Sequence, residues 1–441
     1  MGNKTTRLQQ EKEAKARLKG QLKELPTAIK LFERIVAFGN NDDNVTLDYF
    51  KVAFIGFFKS KHQCNVNVNG LRTIENALWY QFMEIYNNNE YNNSKDKKQQ
   101  LLFFFCRFLE SILTIKQLSR YIKAVLNMFL IEKDSVNISM MNGVLNIMIY
   151  FLRESNVESD KDKKMYSLGL PTNSFATDRD DFEKYLKTKL PMLVLQLPIF
   201  VSKCMLKGSQ SDVYDFQYRV PKPLNVSDNS ELLSTTDFHV LATTCLSFSM
   251  HKYEKLFSTT DKGFGFGNLV DSLEGYTGPT LLAIQDTFGN VFGGFTCNEW
   301  QQSKNFYGNE NCFIFSLQPN FGVLSPRITN SAANTNFQYL CSKNYHSKAL
   351  HGIGFGGDPK YTRLFLSSDF KTNCTCRSTG LSFDQGSLVK SNKVDHPGKT
   401  NDDESFVASV VEIWGFGVSQ FYSAKPKVKI ISNLFHLLRH A

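Results

Sequence analysis

Three glycine-rich stretches have the composition of phosphate-binding loops, which would indicate a nucleotide-dependent enzyme. They are GNVFGGF (289–295), GFGFG (263–267) and GIGFGG (352–357). None has the G-x-x-x-x-G-K-[ST] spacing, in which a lysine and a hydroxyl residue reach the phosphates and their magnesium ion. No helical pattern follows Gly294 that could direct its N-terminus at an anion. We interpret these glycines as corners, where strands bend and neighbouring backbones pack closely.

The other candidates for covalent or acid–base chemistry are scattered along the chain. Cys297 and Cys312 have the chemistry of nucleophiles, but no histidine lies near either of them in the sequence. Glu412, in the segment VEIW, is the best single candidate for a general base, although a strand carboxylate that accepts backbone hydrogen bonds is the commoner role. We therefore predict no catalytic residues and no enzyme. The alternative is a thiol-based enzyme of oxidative defence, which requires an exposed cysteine with a lowered pKa.

The cysteines and histidines do not have the spacing of a metal site. The chain has nine cysteines, mostly within apolar segments, which is typical of buried reduced thiols in a cytosolic protein. Cys374 and Cys376 are the only close pair, and no second pair or histidine cluster completes a zinc site. The histidines considered as ligands are dispersed, at His239, His251, His346 and His351. We predict no metal and no cofactor.

The amino terminus has the pattern for a lipid anchor. Gly2 and Thr6 in MGNKTTR fit the M-G-x-x-x-[ST] motif for N-myristoylation. One myristoyl chain binds a bilayer only marginally, so stable anchoring needs a second signal. The basic run from Lys4 to Lys23 supplies attraction to an anionic leaflet; the residues expected to do so are Lys4, Arg7, Lys12 and Lys15. The other interpretation is a solvated helix over 7–24 whose leucines pack on the body of the protein.

Charge and composition narrow the class of partner. The net charge is +9, but residues 1–25 hold seven basic against three acidic side chains, and residues 424–441 hold four basic and no acidic ones. The body between these ends is about neutral, which suits an anionic surface or docking tails better than a nucleic-acid groove. We predict no nucleic-acid partner. The most apolar stretch, 101–115, contains Arg107 and Glu110 and is too short for a membrane span.

The first half of the chain has helical periodicity. Apolar residues recur every three or four positions from 27 to 153. Two junctions resemble EF-hands, FGNNDDNVTLDYF (38–50) and NVNVNGLRTIEN (65–76). The first places Tyr49 where calcium's bidentate glutamate belongs, and the second offers Asn65, Asn67 and Asn76 instead of carboxylates. We interpret both as degenerate, structural EF-hands; a calcium-responsive adaptor remains the other possibility.

The pattern changes twice after residue 153. Residues 154–229 consist of polar linkers around a helical block at 182–206, which Pro198 should kink or divide. After residue 230, short apolar segments alternate with turn residues, as in a β-rich domain. The predicted strands are 280–285, one that starts at Val291, 311–317, 363–368 and 406–416.

The second half resembles the TLDc domain of oxidation-resistance proteins. The segments GPTLLAIQD, GNVFGGF, FYGNENCFIFSL, GFGG, LFLSSDF, CTC and VEIWGF occur in this order between residues 230 and 418. This resemblance implies a sandwich of two antiparallel sheets with flanking helices. One departure is SMHKYEKLF (249–257), which does not reproduce the H-G-x-S stretch that the family often shows.

The order of segments is similar to that of the EAK-type, mTOR-associated TLDc proteins of lysosomal membranes and of a fungal vacuolar relative. The resemblance implies binding to soluble-sector subunits of the V-type proton ATPase, with an effect on its assembly or activity. We therefore expect a cytoplasmic protein, peripheral on the lysosomal or vacuolar membrane.

The carboxyl-terminal segment, 419–441, is predicted to form a basic amphipathic helix. Its partner-binding face is expected at Ile431, Leu434, Phe435 and Leu438. The other interpretation is a helix docked on its own domain. The sequence thus predicts an α+β protein in five parts: a myristoylated basic segment (1–26), an EF-hand-like helical domain (27–153), a helical block with linkers (154–229), a TLDc domain (230–418) and this helix.

Overall fold

The computed structural model describes most of the chain between residues 26 and 417. The described ranges are 26–39, 45–62, 69–88, 97–113, 118–131, 136–156, 165–168, 179–201, 222–223, 229–244, 252–327, 336–342, 350–358, 361–389 and 403–417. The predicted amino-terminal segment, apart from Pro26, and the predicted carboxyl-terminal helix lie outside these ranges.

The helices of the described regions are concentrated in the first half of the chain. They are α1 (Pro26–Phe38), α2 (Leu47–Lys59), α3 (Ile74–Asn87), α4 (Lys97–Leu113), α5 (Leu118–Phe129), α6 (Ile138–Asn156), α7 (Arg179–Lys189), α8 (Pro191–Val194), α9 (Gln196–Phe200), α10 (Thr235–Ala242), α11 (Thr259–Lys262) and α12 (Phe266–Leu273). The helical first half that the periodicity predicts is confirmed.

The strands form two sheets in the second half. They are β1 (Lys222–Pro223), β2 (Lys252–Ser258), β3 (Thr280–Asp286), β4 (Val291–Thr296), β5 (Cys312–Gln318), β6 (Gly322–Leu324), β7 (Gln338–Cys341), β8 (Gly352–Asp358), β9 (Tyr361–Ser367), β10 (Thr375–Arg377), β11 (Asp403–Ser405) and β12 (Ala408–Phe416). One sheet has the order β1-β2-β12-β3-β4-β5-β6 and the other β11-β10-β9-β8-β7. The pairing is antiparallel except between β1 and β2. The α+β class is confirmed.

The seven-stranded sheet is the middle of three layers. On β3, Leu281 and Ala283 belong to the same core as the helical half, whereas Leu282 and Ile284 pack with the five-stranded sheet. Side chains alternate between the two faces of a strand, so the core strands of this sheet are buried on both sides. The helices therefore cover one face of the sandwich.

Aromatic side chains fill the core of the helical half. Phe50 of α2 is fully buried, and its ring lies 5.1 Å from that of Phe32, 5.5 Å from that of Phe82 and 6.1 Å from that of Phe105. These partners come from α1, α3 and α4. Tilted and edge-on aromatic pairs at such distances add to the free energy gained from burial.

The described parts of the two EF-hand-like junctions make structural contacts. Tyr49 donates its hydroxyl to the carbonyl of Val36 at 3.0 Å, which ties α1 to α2. In the second junction, Leu71 forms a backbone bridge with Leu130, just after α5. Asn65 and Asn67 lie outside the described residues, so the interpretation of this loop as a degenerate EF-hand stays a prediction.

The helical block after the first linker is divided earlier than the sequence predicts. Its first helix starts at Arg179, and the helical structure is interrupted before Pro191 and again at Leu195. Pro191 occupies the first position of α8, where a missing N–H costs nothing. Pro198 lies inside α9 and lacks the N–H that would continue the helix from residue 194, so the division falls at Leu195.

Four residues of the first linker, 165–168, join the helical half to the second half. Asn146 of α6 exchanges hydrogen bonds with the backbone N–H and carbonyl of Tyr166, at 2.9 and 2.8 Å. The hydroxyl of Tyr166 donates to Asp237 of α10 at 2.8 Å, with both side chains buried. The N–H of Phe321 donates to the carbonyl of Ser167 at 2.6 Å. This strap holds the first half of the chain against the second.

The strap yields a stability prediction. Tyr166→Phe removes the hydroxyl and leaves a carboxylate oxygen of Asp237 with one donor fewer in a buried site, so the free energy of unfolding should fall by about 1–3 kcal/mol. Urea unfolding followed by tryptophan fluorescence measures this loss. Tyr86→Phe is the matched control, because the Tyr86 ring packs on Phe82 and Phe104. Equal stability of the two variants would contradict the role of the strap.

Candidate interaction surface

The stretch TFGNVFGGF forms a hairpin whose glycines allow close packing. It contains the turn between β3 and β4, and Gly289 adopts a φ of 81°, which favours glycine. A Cβ on Gly294 would lie 2.6 Å from the ring of Phe355 in the other sheet, and one on Gly293 only 1.9 Å from the carbonyl oxygen of Leu282. The interpretation of these two glycines as sites of close approach is confirmed.

Glu412 is a buried structural carboxylate. It is fully buried on β12, and its oxygens accept hydrogen bonds from the hydroxyl of Ser230, the backbone N–H of Glu231 at 2.8 Å and the indole N–H of Trp414 at 2.9 Å. Ser230 and Glu231 thereby join the segment before α10 to the central sheet. A buried carboxylate with three donors is occupied by the fold, which is the role that the sequence favours over a general base.

Most of the described thiols are buried, and two of them have a raised pKa. Cys312, Cys374 and Cys376 are buried, and Cys297 is half-buried against the core. Burial raises the pKa of the Cys374 thiol, and it raises the pKa of Cys106 to about 11. A raised pKa lowers the thiolate fraction at neutral pH, whereas thiol catalysis requires the opposite shift.

The histidines and the close cysteine pair form no metal centre in the regions that the structure describes. No group of three or more histidine, cysteine, aspartate or glutamate side chains comes together there. His239 is buried on α10, and His351 is half-buried before β8. His251 and His346 lie outside the described residues.

Apolar side chains are exposed together at one end of the sandwich. Phe264, Phe288 and Val407 are 49%, 67% and 37% exposed. The N–H of Thr287 donates to the carbonyl of Val407 at 3.0 Å, and the next residue, Ala408, donates to the carbonyl of Phe370 at 3.0 Å. The ring of Phe370 lies 5.8 Å from that of Phe264. We call the exposed Phe264, Phe288 and Val407, together with the buried Phe370 that contacts Phe264, the apolar tip.

Two aspartates fix the loops that carry the apolar tip. The buried carboxylate of Asp286 accepts from the N–H groups of Phe288 and Asn290, both at 2.9 Å, and from the Asn290 amide at 2.7 Å. Asp369 accepts from the hydroxyls of Ser367 and Thr372 and from backbone N–H groups. The Ser367 and Thr372 hydroxyls in particular hold the Asp369 pKa well below its usual range. The tip is therefore presented on ordered loops.

One edge of each sheet has another described segment alongside it. Ser303 donates its N–H to the carbonyl of Leu340 on β7 at 2.9 Å, and Tyr307 forms a bridge with Gln338 on the same edge. In the seven-stranded sheet, the strap lies beside the residue that precedes β6, through the backbone bridge between Leu168 and Phe321. Covered edges disfavour binding by strand addition and leave loops and tips as interaction surfaces.

The site residues predicted from the sequence lie outside the described residues. These are the acylation site Gly2, the membrane-binding Lys4, Arg7, Lys12 and Lys15, and the partner-binding Ile431, Leu434, Phe435 and Leu438. They stay predictions. Among the helices that the structure does describe, none has both the length and the apolar character needed to cross a membrane.

Sequence reasoning missed the apolar tip. Phe264 lies between Gly263 and Gly265, and Phe288 precedes Gly289. An aromatic residue inside a turn signal, rather than inside an alternating strand pattern, is the feature that could have identified it.

Comparisons with known proteins assign a domain to the second half. Residues 226–417 match the TLDc domain family, so this part of the chain is a TLDc domain. The chain is similar to MTOR-associated protein MEAK7 of Xenopus laevis, with 28% identity over 56% of this chain and 50% of that protein. MEAK7 of Danio rerio shares 31% identity over 37% of this chain and 33% of that protein.

A more distant likeness is to Oxidation resistance protein 1 of Xenopus tropicalis, at 24% identity over 44% of this chain and 19% of that protein. This chain spans no more than half the length of the relatives described here.

The first prediction for this region concerns Gly294. Gly294→Ala places a methyl group against the Phe355 ring, so the free energy of unfolding should fall by about 1–3 kcal/mol. Gly267→Ala is the control, because that position is exposed in α12 with open space around a Cβ, and the change should be neutral or stabilising by up to about 1 kcal/mol. Thermal melting compares the two. A tolerated Gly294→Ala would mean that the sheets do not meet closely here.

The second prediction separates structure from catalysis at Glu412. Glu412→Gln replaces one acceptor oxygen by a donor among three donors, so the variant should lose about 1–3 kcal/mol of stability. Glu274→Gln, on an exposed carboxylate at the end of α12, should change little. Urea unfolding of both variants measures the difference. Unchanged stability of Glu412→Gln would show that the carboxylate is not required by the fold.

Proposed function

We propose that this chain is a non-enzymatic regulator, recruited to the lysosomal or vacuolar membrane, that binds the V-type proton ATPase through its TLDc domain and alters the assembly or activity of the pump. The similarity to MTOR-associated proteins supports a link to TOR signalling. The proposed contacts are with soluble-sector subunits, as the family resemblance implies. Myristate on Gly2 and the basic residues after it hold the protein at an anionic membrane surface, on its cytoplasmic side.

One observation supports this proposal above the others. Within the TLDc domain, the described residues whose types could perform chemistry have structural roles instead. Glu412 is saturated by three donors, and Cys312, Cys374 and Cys376 are buried. The parts of the domain that other molecules can contact are its loops and ends. A protein of this kind works by docking.

A role in protection against oxidation is the second candidate, favoured by the similarity to Oxidation resistance protein 1. A thiol enzyme of that class would depend on Cys297, the half-buried cysteine among those described. Peroxide turnover by the purified chain that disappears in Cys297→Ser would replace the proposal of a non-enzymatic regulator.

Affinity isolation from detergent-solubilised membranes tests the proposal. The tagged full chain should recover pump subunits, and Gly2→Ala should reduce its membrane association before solubilisation, because the acyl chain is lost. Recovery of no pump subunits by the full chain would refute the pump as partner. Membrane association that is unchanged in Gly2→Ala would refute the lipid anchor alone.

The predicted carboxyl-terminal helix has its own arm in this experiment. Replacing Ile431, Leu434, Phe435 and Leu438 by serine should abolish recovery of the pump if this face inserts into a groove of the partner. Asn433→Ser with His440→Ser is the matched control, since both residues lie on the opposite face of the predicted helix. Recovery that survives the quadruple change, with reduced folding stability, would assign the helix to its own domain.

A further inference from the structure

We propose that the apolar tip of the TLDc domain is a bilayer-contacting surface, which inserts Phe264, Phe288 and Val407 into the interfacial region of a membrane. The inference rests on the proposed recruitment to a membrane, and it adds a contact that is independent of the acyl chain. Four features of the tip support it, namely its grouping, its charge, its shape and its rigidity.

The grouping is the first feature. Phe264 precedes α12, Phe288 lies in the β3–β4 turn and Val407 precedes β12, so three separate loops bring apolar side chains to the same end of the sandwich. Hydrogen bonds through Thr287 and Ala408, and the contact between the Phe264 and Phe370 rings, connect these loops. Single exposed apolar residues are normal, whereas a group of this kind marks an interaction site.

The charge of the tip selects the occupant. The charged groups near the tip are largely engaged within the protein, and Asp261 forms an ion pair with Lys255 at 3.0 Å. The carboxylates of Asp286 and Asp369 are used by their own turns, and the ammonium of Lys262 donates to the Leu256 carbonyl and the Ser272 hydroxyl. A tip whose carboxylates are engaged within the protein exposes mainly apolar side chains, which match an uncharged lipid interface, and it offers few of the charged or polar groups that give a protein interface its specificity.

The shape of the tip points the same way. A Cβ added at Gly263 or Gly289, beside the two exposed rings, would meet no atom within 4 Å. The backbone beside the two rings is therefore open to solvent. Projecting aromatic side chains enter a soft interface without a preformed pocket, and aromatic residues are favoured at the level of the lipid headgroups.

Rigidity lowers the entropic cost of insertion. The turn that carries Phe288 is held by the three hydrogen bonds to the carboxylate of Asp286 and by the bond from Thr287 to Val407. The side chains are already presented before contact, so little ordering of the loops is required on binding.

The test measures whether the tip enters lipid. The full chain, carrying an amino-terminal histidine tag, is tethered to phosphatidylcholine vesicles that contain a nickel-chelating lipid, so attachment depends neither on Gly2 nor on the pump. Tryptophan is placed at the tip by Phe288→Trp, and in a matched control by Leu381→Trp at an 81% exposed position outside the tip. The native Trp79, Trp300 and Trp414 are all buried and contribute a background that contact with lipid should not change.

Vesicles with brominated acyl chains should quench the fluorescence of Phe288→Trp, with a shift to shorter wavelength, and should leave Leu381→Trp unchanged relative to vesicles without bromine. In an untethered assay, Phe264→Ser with Phe288→Ser should lower vesicle partitioning about tenfold, the loss of two apolar side chains from the interface. Leu381→Ser should not change partitioning.

Phe288→Trp that is not quenched on tethered vesicles, or equal quenching at 288 and 381, would overturn the inference. Those results would leave the proposed binding to the pump intact, because the tether supplies the membrane attachment. Conversely, quenching at 288 combined with no recovery of pump subunits would refute the proposed partner and retain the bilayer contact.

Discussion

The burial of the seven-stranded sheet on both faces is the constraint on which the rest of the structure depends. Leu281 and Ala283 face the helices, while Leu282 and Ile284 face the second sheet. Neither face can tolerate an unpaired polar group or extra volume without a cost in free energy. The helical half therefore shares a hydrophobic core with the central sheet.

This constraint explains which residues are fixed by the fold. Gly293 and Gly294 have no side chain because the carbonyl of Leu282 and the ring of Phe355 occupy the space on either face. Glu412 is tolerated in the same sheet because three donors satisfy its carboxylate. In the sequence, these glycines and this glutamate resemble functional residues. In the structure, they allow the sheet to be buried on both faces.

The sequence predicts the local structure of this chain better than its long-range contacts. Short apolar segments bounded by turn residues predict β3, β5, β9 and β12 to within about two residues, because this signal is a property of the segment itself. For the strap, the sequence predicts only a polar linker. Its contacts with Asn146, Asp237 and Phe321 join residues that are distant in the chain, so no local pattern indicates them. For the candidate site, the glycines and Glu412 were interpreted correctly from local rules, whereas the apolar tip depends on loops that only the fold brings together.

The same constraint places function at the ends of the molecule. A sheet covered by helices on one face and by a second sheet on the other has no free face, and the strap beside β6 disfavours strand addition at that edge. Loops and tips are therefore favoured as binding surfaces of this sheet. The apolar tip meets this condition. Asp286 and Asp369 accept hydrogen bonds from backbone N–H groups of their own turns, so the exposed rings of Phe264 and Phe288 are the groups that a partner surface would contact. Substitutions in the loops can therefore change what the domain binds without disturbing the core, since the residues that pack the three layers are different from those exposed on the surface.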